Sequence, residues 1–313
     1  MGQGEEVKTR SQPEVEIQER GEIFFFYRPK VGKEQVYGPE DVQRLYVVLR
    51  PESGERSVEQ KQDPCSGKEG AKHNQDDAGG GGSSSSSGGH GTREVNIEKE
   101  TLLRLIVMGR KSLPDPSKRP QPYWGFVDMV TTKIDDIKDA LGQQEYETST
   151  RGHRHVDPAR ALGEGVYRIL KHNPNKRMHT HLIYKLELPV EDAQNEPQES
   201  LNIEREASFL IQIKNPEATT DTDSGRFRGL GNKRKAMFPA HLQGLFGQRR
   251  FGPADPPDFL NYEGCELLLI AAADDIEEEL GLEVKVESSS CSDLVETFGE
   301  ALPTKPLFEG AWV

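Results

Sequence analysis

The chain has 313 residues, enough for one large domain or two small ones, and its 53 acidic against 40 basic side chains leave a formal net charge of −13. That balance opposes non-specific attachment to nucleic acid or to an anionic membrane as a property of the whole molecule. Three cysteines, Cys65, Cys265 and Cys291, make neither a disulfide framework nor a CxxC ligand pair, which points to a reducing compartment.

Residues 1–20 are polar, lack the apolar core of a secretory leader, and are expected to be a disordered tail. No run reaches the eighteen apolar residues of a spanning helix, so the expected location is the cytoplasm, with the nucleus as an alternative. Ile23 to Tyr27 is a short aromatic and branched run stopped by Arg28-Pro29, and it reads as a buried strand. Leu45 to Leu49 is a second strand, stopped by Arg50-Pro51. Residues 52–93 change character, passing through mixed charges into Gly79 to Gly82, Ser83 to Ser87 and Gly88-Gly89. This low-complexity stretch is expected to be a disordered insertion inside a single, mostly β domain spanning 21–280. Long insertions between neighbouring ends cost little closure entropy, so the strands on either side are assigned to one domain.

Leu102 to Met108 resumes the core, and Tyr123 to Val130 follows a proline-rich loop. Thr132 to Leu141 reads as a helix capped by Thr132, with Ile134, Ile137 and Leu141 on one face and Gly142 at its end. Gly165 to Leu170 and His181 to Pro189 form the strongest hairpin signal, around Asn173-Pro174-Asn175. Ser208 to Lys214 and Cys265 to Ala273 read as further strands, Pro239 to Phe246 and Asp274 to Leu280 as short helices. Residues 281–313 close the chain as an acidic, partly ordered tail. The fold class is therefore α+β, a mainly antiparallel sheet or sandwich-like core of about eight strands with two or three short helices.

The segments Gly21 to Lys30, Arg119 to Val127 and Gly163 to Ile169 resemble a family of uncharacterised plant proteins, sometimes labelled BTB/POZ-like. The resemblance would cover most of the chain outside the Gly/Ser stretch and the two tails. It implies a plant source and brings no catalytic residue with it. A BTB domain is mainly helical with a small sheet, whereas these residues read as strands.

Chemistry-bearing residues concentrate in the middle of the chain. From Ser149 to Lys185 there are eight basic and two acidic residues, while Asp274 to Val313 holds eleven carboxylates and two lysines. Thr148 to His155 combines hydroxyls, a glycine and Arg151, His153, Arg154 and His155; with Arg160 and Arg168 it would recognise a phosphate or carboxylate, because Arg is a rigid two-pronged donor. His179 and His181 fall on one strand face, and with His153 they would offer three nitrogens to zinc or iron. The bland alternatives are a solvated basic loop and histidines satisfied within the sheet; no metal motif spacing is present. A second basic run from Arg226 to Lys235, near Arg249 and Arg250, has Phe227 and Phe238 for stacking on RNA, but no RNA motif.

Two functions follow from different classes. The leading expectation is a binding or scaffold protein whose basic His/Arg-rich face engages a protein or a small anionic ligand, with no required cofactor. The alternative is a hydrolase or other enzyme, metal-dependent or not, built from the same region. Convergence of these groups on one concave site separates the two.

Overall fold

The computed structural model describes residues 4–10, 13–52, 56–63, 91–118, 121–148, 152–173, 178–190, 195–218, 234–286, 292–299 and 302–313. The chain is mostly antiparallel β. Its strands are β1 (Glu5–Lys8), β2 (Val15–Pro29), β3 (Val42–Glu52), β4 (Val58–Gln62), β5 (Thr92–Asn96), β6 (Leu103–Met108), β7 (Tyr123–Thr131), β8 (Gln144–Thr148), β9 (Gly152–Val156), β10 (Arg160–His172), β11 (His179–Leu188), β12 (Glu206–Lys214), β13 (Phe251–Pro253), β14 (Glu266–Ala273) and β15 (Leu282–Lys285). The helices are α1 (Ile134–Leu141), α2 (Glu196–Ser200), α3 (Ala240–Phe246), α4 (Ile276–Leu280), α5 (Asp293–Phe298) and α6 (Lys305–Glu309).

Eight strands pair in the order β10, β2, β3, β6, β7, β14, β12, β11, and β11 returns to β10, so the sheet closes on itself. Closure removes the free edges that an open sheet would expose. The expected alternative of a sandwich-like pair of sheets is replaced by this single barrel. Successive residues of a strand face opposite sides, and here both sides are buried. Ile23 and Phe25 point into the barrel with Val47, Leu49, Tyr184 and Phe209. Phe24 and Phe26 point outward, where the Phe298 ring of α5 meets both edge-on at 5.3 and 5.7 Å. That double burial is why the Ile23 to Tyr27 run carries no polar residue.

Helix α1 buries Ile137 and Leu141, and its N-cap is Lys133. Thr131, in place of the expected Thr132, tends that end: its hydroxyl accepts from the Lys133 amide at 3.0 Å and donates to Asp136. The structure has six short α-helices among the described residues, more than the two or three expected, because residues 196–200 supply α2 and residues 293–309 supply α5 and α6. Leu294, Phe298, Leu302 and Leu307 of that acidic stretch are all buried against the outer barrel wall. A second outer patch, Val166, Leu170 and Ile183, is covered by Ile276 and Leu280 of α4 and by Leu282 and Val284 of β15.

Two further expectations change. Residues 5–8 and 15–20, expected to be disordered, lie in strands: β1 pairs with β15, and Arg20 pairs with Glu52. Within 52–93, residues 58–62 form β4, which pairs with β5 as a hairpin; residues 64–90, with the Gly/Ser run, lie outside the described residues. The barrel strands flanking this hairpin, β3 and β6, pair directly with each other.

Candidate functional site

The barrel interior is filled. Apolar side chains of β2, β3, β6, β11, β12 and β14 leave a cavity of about 20 Å³ among them, room for about one water-sized sphere and lined without polar partners for it. The larger concavity, about 150 Å³, lies at the end of the barrel where β11 begins and β12 ends. It exists because one edge of β12 changes partner: residues 206–210 pair with β11, and residues 212–214 pair with β13. Ile211 sits at the fork. The Thr180 hydroxyl bridges the gap, donating to the Ile211 carbonyl at 2.7 Å and accepting from the Ala254 amide at 2.9 Å.

His179, Gln212 and Arg249 line this cleft together with Met178 and Phe251. Arg249 is held by the C-terminal carbonyls of α3, its Nε donating to Phe246 at 3.2 Å and its Nη2 to Leu245 at 2.7 Å, a favourable place for a cation. Nη1 has no partner among the described residues. A half-buried imidazole, a carboxamide and an anchored guanidinium around one concavity offer donors to an anionic group.

Of the residues singled out from the sequence, those whose side chains are described do not converge. Arg151 lies outside the described residues, and so do the side chains of His153 and Arg154, whose backbones belong to β9. Residues 152–156 form a strand paired with β8, where a loop was expected. His155 is exposed and meets Asp157 at 2.9 Å. Arg160 is buried, donating to the Glu34 carbonyl at 2.7 Å with its guanidinium over the Tyr27 ring. Arg168 is wholly buried and paired with Glu6 of β1, so it fastens β1 to the barrel. Arg160 and Arg168 are thus structural cations and offer no exposed anion-binding face.

The histidines divide similarly. His181 is buried on the outer wall beneath α4, with Nδ1 3.0 Å from the Ser208 hydroxyl and 3.8 Å from a Glu279 oxygen. A Ser, a His and a Glu in contact invite comparison with a nucleophile relay, but a relay uses the two ring nitrogens for its two partners. Here both face Nδ1, while Nε2 is buried with no partner among the described residues. Burial, with His172 and His179 nearby, pushes the His181 pKa down to about 3, so its ring is neutral at physiological pH. His179 faces His172 across the β10–β11 ladder, and the His172 and His181 rings are 5.4 Å apart. Among the described residues no group of three or more His, Cys, Asp or Glu side chains is placed to hold a metal ion. Cys265 is fully buried, and burial raises its thiol pKa, which suits the small-hydrophobe role. Phe238 is packed among Phe246, Phe259 and Tyr262, so it is no stacking platform.

A buried polar cluster unrecognised in the sequence closes the same end of the barrel. Arg104 forms a fork with Glu19, at 2.6 and 2.8 Å, and its Nη2 also reaches Glu59 at 2.5 Å. Its Nε donates to Asn261 at 2.7 Å, and the Tyr167 hydroxyl donates to Glu19 at 2.7 Å. One signal pointed here: Arg104 interrupts the apolar run Leu102 to Met108, and a charge in such a run requires a buried counter-ion. Among the described residues no helix is long and apolar enough to cross a membrane. No protein-family model, no curated protein and no solved structure matches the chain.

Proposed function

We propose that the protein is a binding module, a closed barrel that recognises a small anionic group, phosphate or carboxylate, in the cleft at the β11, β12 and β13 fork. The observation that carries this reading is the joint presence of His179 and the anchored Arg249 in the 150 Å³ concavity. It relocates the expected basic face: of the expected residues whose side chains are described, only His179 belongs to it, together with Arg249 from the second basic run. The filled barrel favours surface recognition over enclosure of a large substrate. The one hydroxyl among the described residues of the cleft lining, that of Thr180, already serves two backbone partners, which argues for binding over nucleophilic catalysis. The resemblance to uncharacterised plant proteins adds no ligand to this reading.

Titration calorimetry with inorganic phosphate, pyrophosphate and citrate tests it. One of them is expected to bind saturably, more weakly at high salt, and Arg249→Ala should weaken it about tenfold or more, the scale of a lost charge-assisted hydrogen bond. Absence of binding by all three, or equal binding by the Arg249 variant, overturns the assignment.

A further inference from the structure

The β4–β5 hairpin is fastened to the barrel end by an unusual set of contacts. The 3-10 turn Pro257–Asn261 holds its backbone: Asp258 accepts from the Gln60 amide at 3.0 Å and from Arg56 at 2.5 Å, and the Asn261 amide donates to the Gln60 carbonyl at 2.9 Å. Val95 of β5 packs into the apolar core, and Glu59 enters the buried cluster, receives the Asn261 amide at 2.8 Å and shares Nη2 of Arg104 with Glu19. Arg104, Glu19 and Glu59 are all essentially excluded from solvent.

The charge count does not close if both carboxylates ionise. Two anions and one guanidinium leave a net negative charge buried, which the low-dielectric interior strongly disfavours. The other groups facing Glu59 do not repair this: Tyr167 on β10 is neutral and its hydroxyl is spent on Glu19, Asn261 is neutral, and Asp258 on the 3-10 turn is anionic and engaged with Arg56. On the hairpin itself, Lys61 is buried and donates to the Gln62 carbonyl, and its charge acts on Glu100. A single proton shared between the two carboxylates restores neutrality.

We propose that the Glu19–Glu59 pair holds one proton in the docked hairpin up to neutral pH, and that this proton latches β4–β5 onto the barrel end, so that docking weakens as pH rises. The direction of each pKa agrees: burial and the neighbouring Glu19 carboxylate raise Glu59 to about 8, while the paired guanidinium of Arg104 keeps Glu19 below its ordinary value despite burial. An undocked Glu59 returns to its ordinary value near 4.5. Opening therefore releases a proton between these two values. The opening constant rises about tenfold per pH unit from about pH 5 to pH 8 and levels off above.

Amide hydrogen exchange of the intact protein reads this directly, because the Gln60 amide is protected by Asp258 only in the docked state. After correction for intrinsic exchange, the Gln60 opening constant should climb through pH 5 to 8 in the wild type, while a barrel amide such as that of Val48 does not follow it. In Glu59→Gln, where the carboxamide mimics the protonated acid, the climb should vanish. A flat wild-type profile at Gln60 overturns the latch without any variant being needed, and an unchanged slope in Glu59→Gln overturns the assignment to this pair. Neither result bears on the anion cleft.

Discussion

Glu19 and Glu59, from strands on either side of the β3 segment, grip the same Nη2 of Arg104, at 2.8 and 2.5 Å. The guanidinium is therefore the keystone between the barrel wall and the β4–β5 hairpin. Arg104→Met removes the cation of that contact and strands a buried carboxylate, so we expect a loss of about 3–5 kcal/mol in urea unfolding. Adding Glu19→Gln should return part of that loss, a coupling that a double-mutant cycle measures.

His181 should contribute to acid sensitivity with a definite sign. Its pKa lies near 3 in the folded protein against the ordinary 6.5. The folded state thus binds fewer protons than the unfolded chain between these values. The contribution is fully present above pH 6.5 and lost as pH falls towards 3. His181→Asn removes the titration, so the stability of the wild type should fall more than that of the variant between pH 6.5 and 4.5, measured by urea unfolding at each pH. Equal losses would remove His181 from the acid response.

Two glycines predict opposite outcomes. A Cβ on Gly165 would stand 2.1 Å from the Lys185 carbonyl oxygen and 2.7 Å from the Leu186 Cα, backbone that cannot step aside, at the bulge between β10 and β11. Gly165→Ala should lower the melting temperature markedly or abolish soluble expression. Gly244 lies within α3 with nothing within 4 Å of the added carbon. Gly244→Ala should stabilise by about 0.5–1 kcal/mol, seen as a small rise in melting temperature.

Phe298 tests how firmly the acidic end of the chain is attached. It is buried between Phe24 and Phe26, so Phe298→Ala should cost about 3–5 kcal/mol in denaturant unfolding. A loose tail would give a change near zero.

The main barrel strands were legible because their apolar runs reflect a physical necessity: walls buried on both faces must be apolar on both faces. The Ile23 to Tyr27, Leu45 to Leu49 and Cys265 to Ala273 runs therefore fall where strands form. β4 and β9 were not legible, since Val-Glu-Gln-Lys-Gln and Gly-His-Arg-His-Val contain too little apolar surface to declare a strand. For β4, tertiary clasps from Asp258 and Asn261 decide the matter, far away in sequence. The cleft was half legible. His179 stood out as an imidazole and Arg249 as part of a basic run, but their meeting depends on β12 exchanging β11 for β13, which no local pattern encodes. Conversely, Arg160 and Arg168 drew attention by charge alone, whereas burial had already assigned each a partner.

Barrel closure also fixes when the chain can finish folding as it leaves the ribosome. β14 is the bridge between β7 and β12, and it is the last barrel strand to be synthesised. Until Ala273 has emerged, β7 and β12 each present an unpaired edge, and β2 has already waited for β10 through the whole intervening chain. Long-range pairing of this kind is slow and leaves sticky edges exposed in the meantime. A nascent chain halted before β14 would thus be a client for chaperones and a substrate for proteolysis, while a few residues more would let it seal.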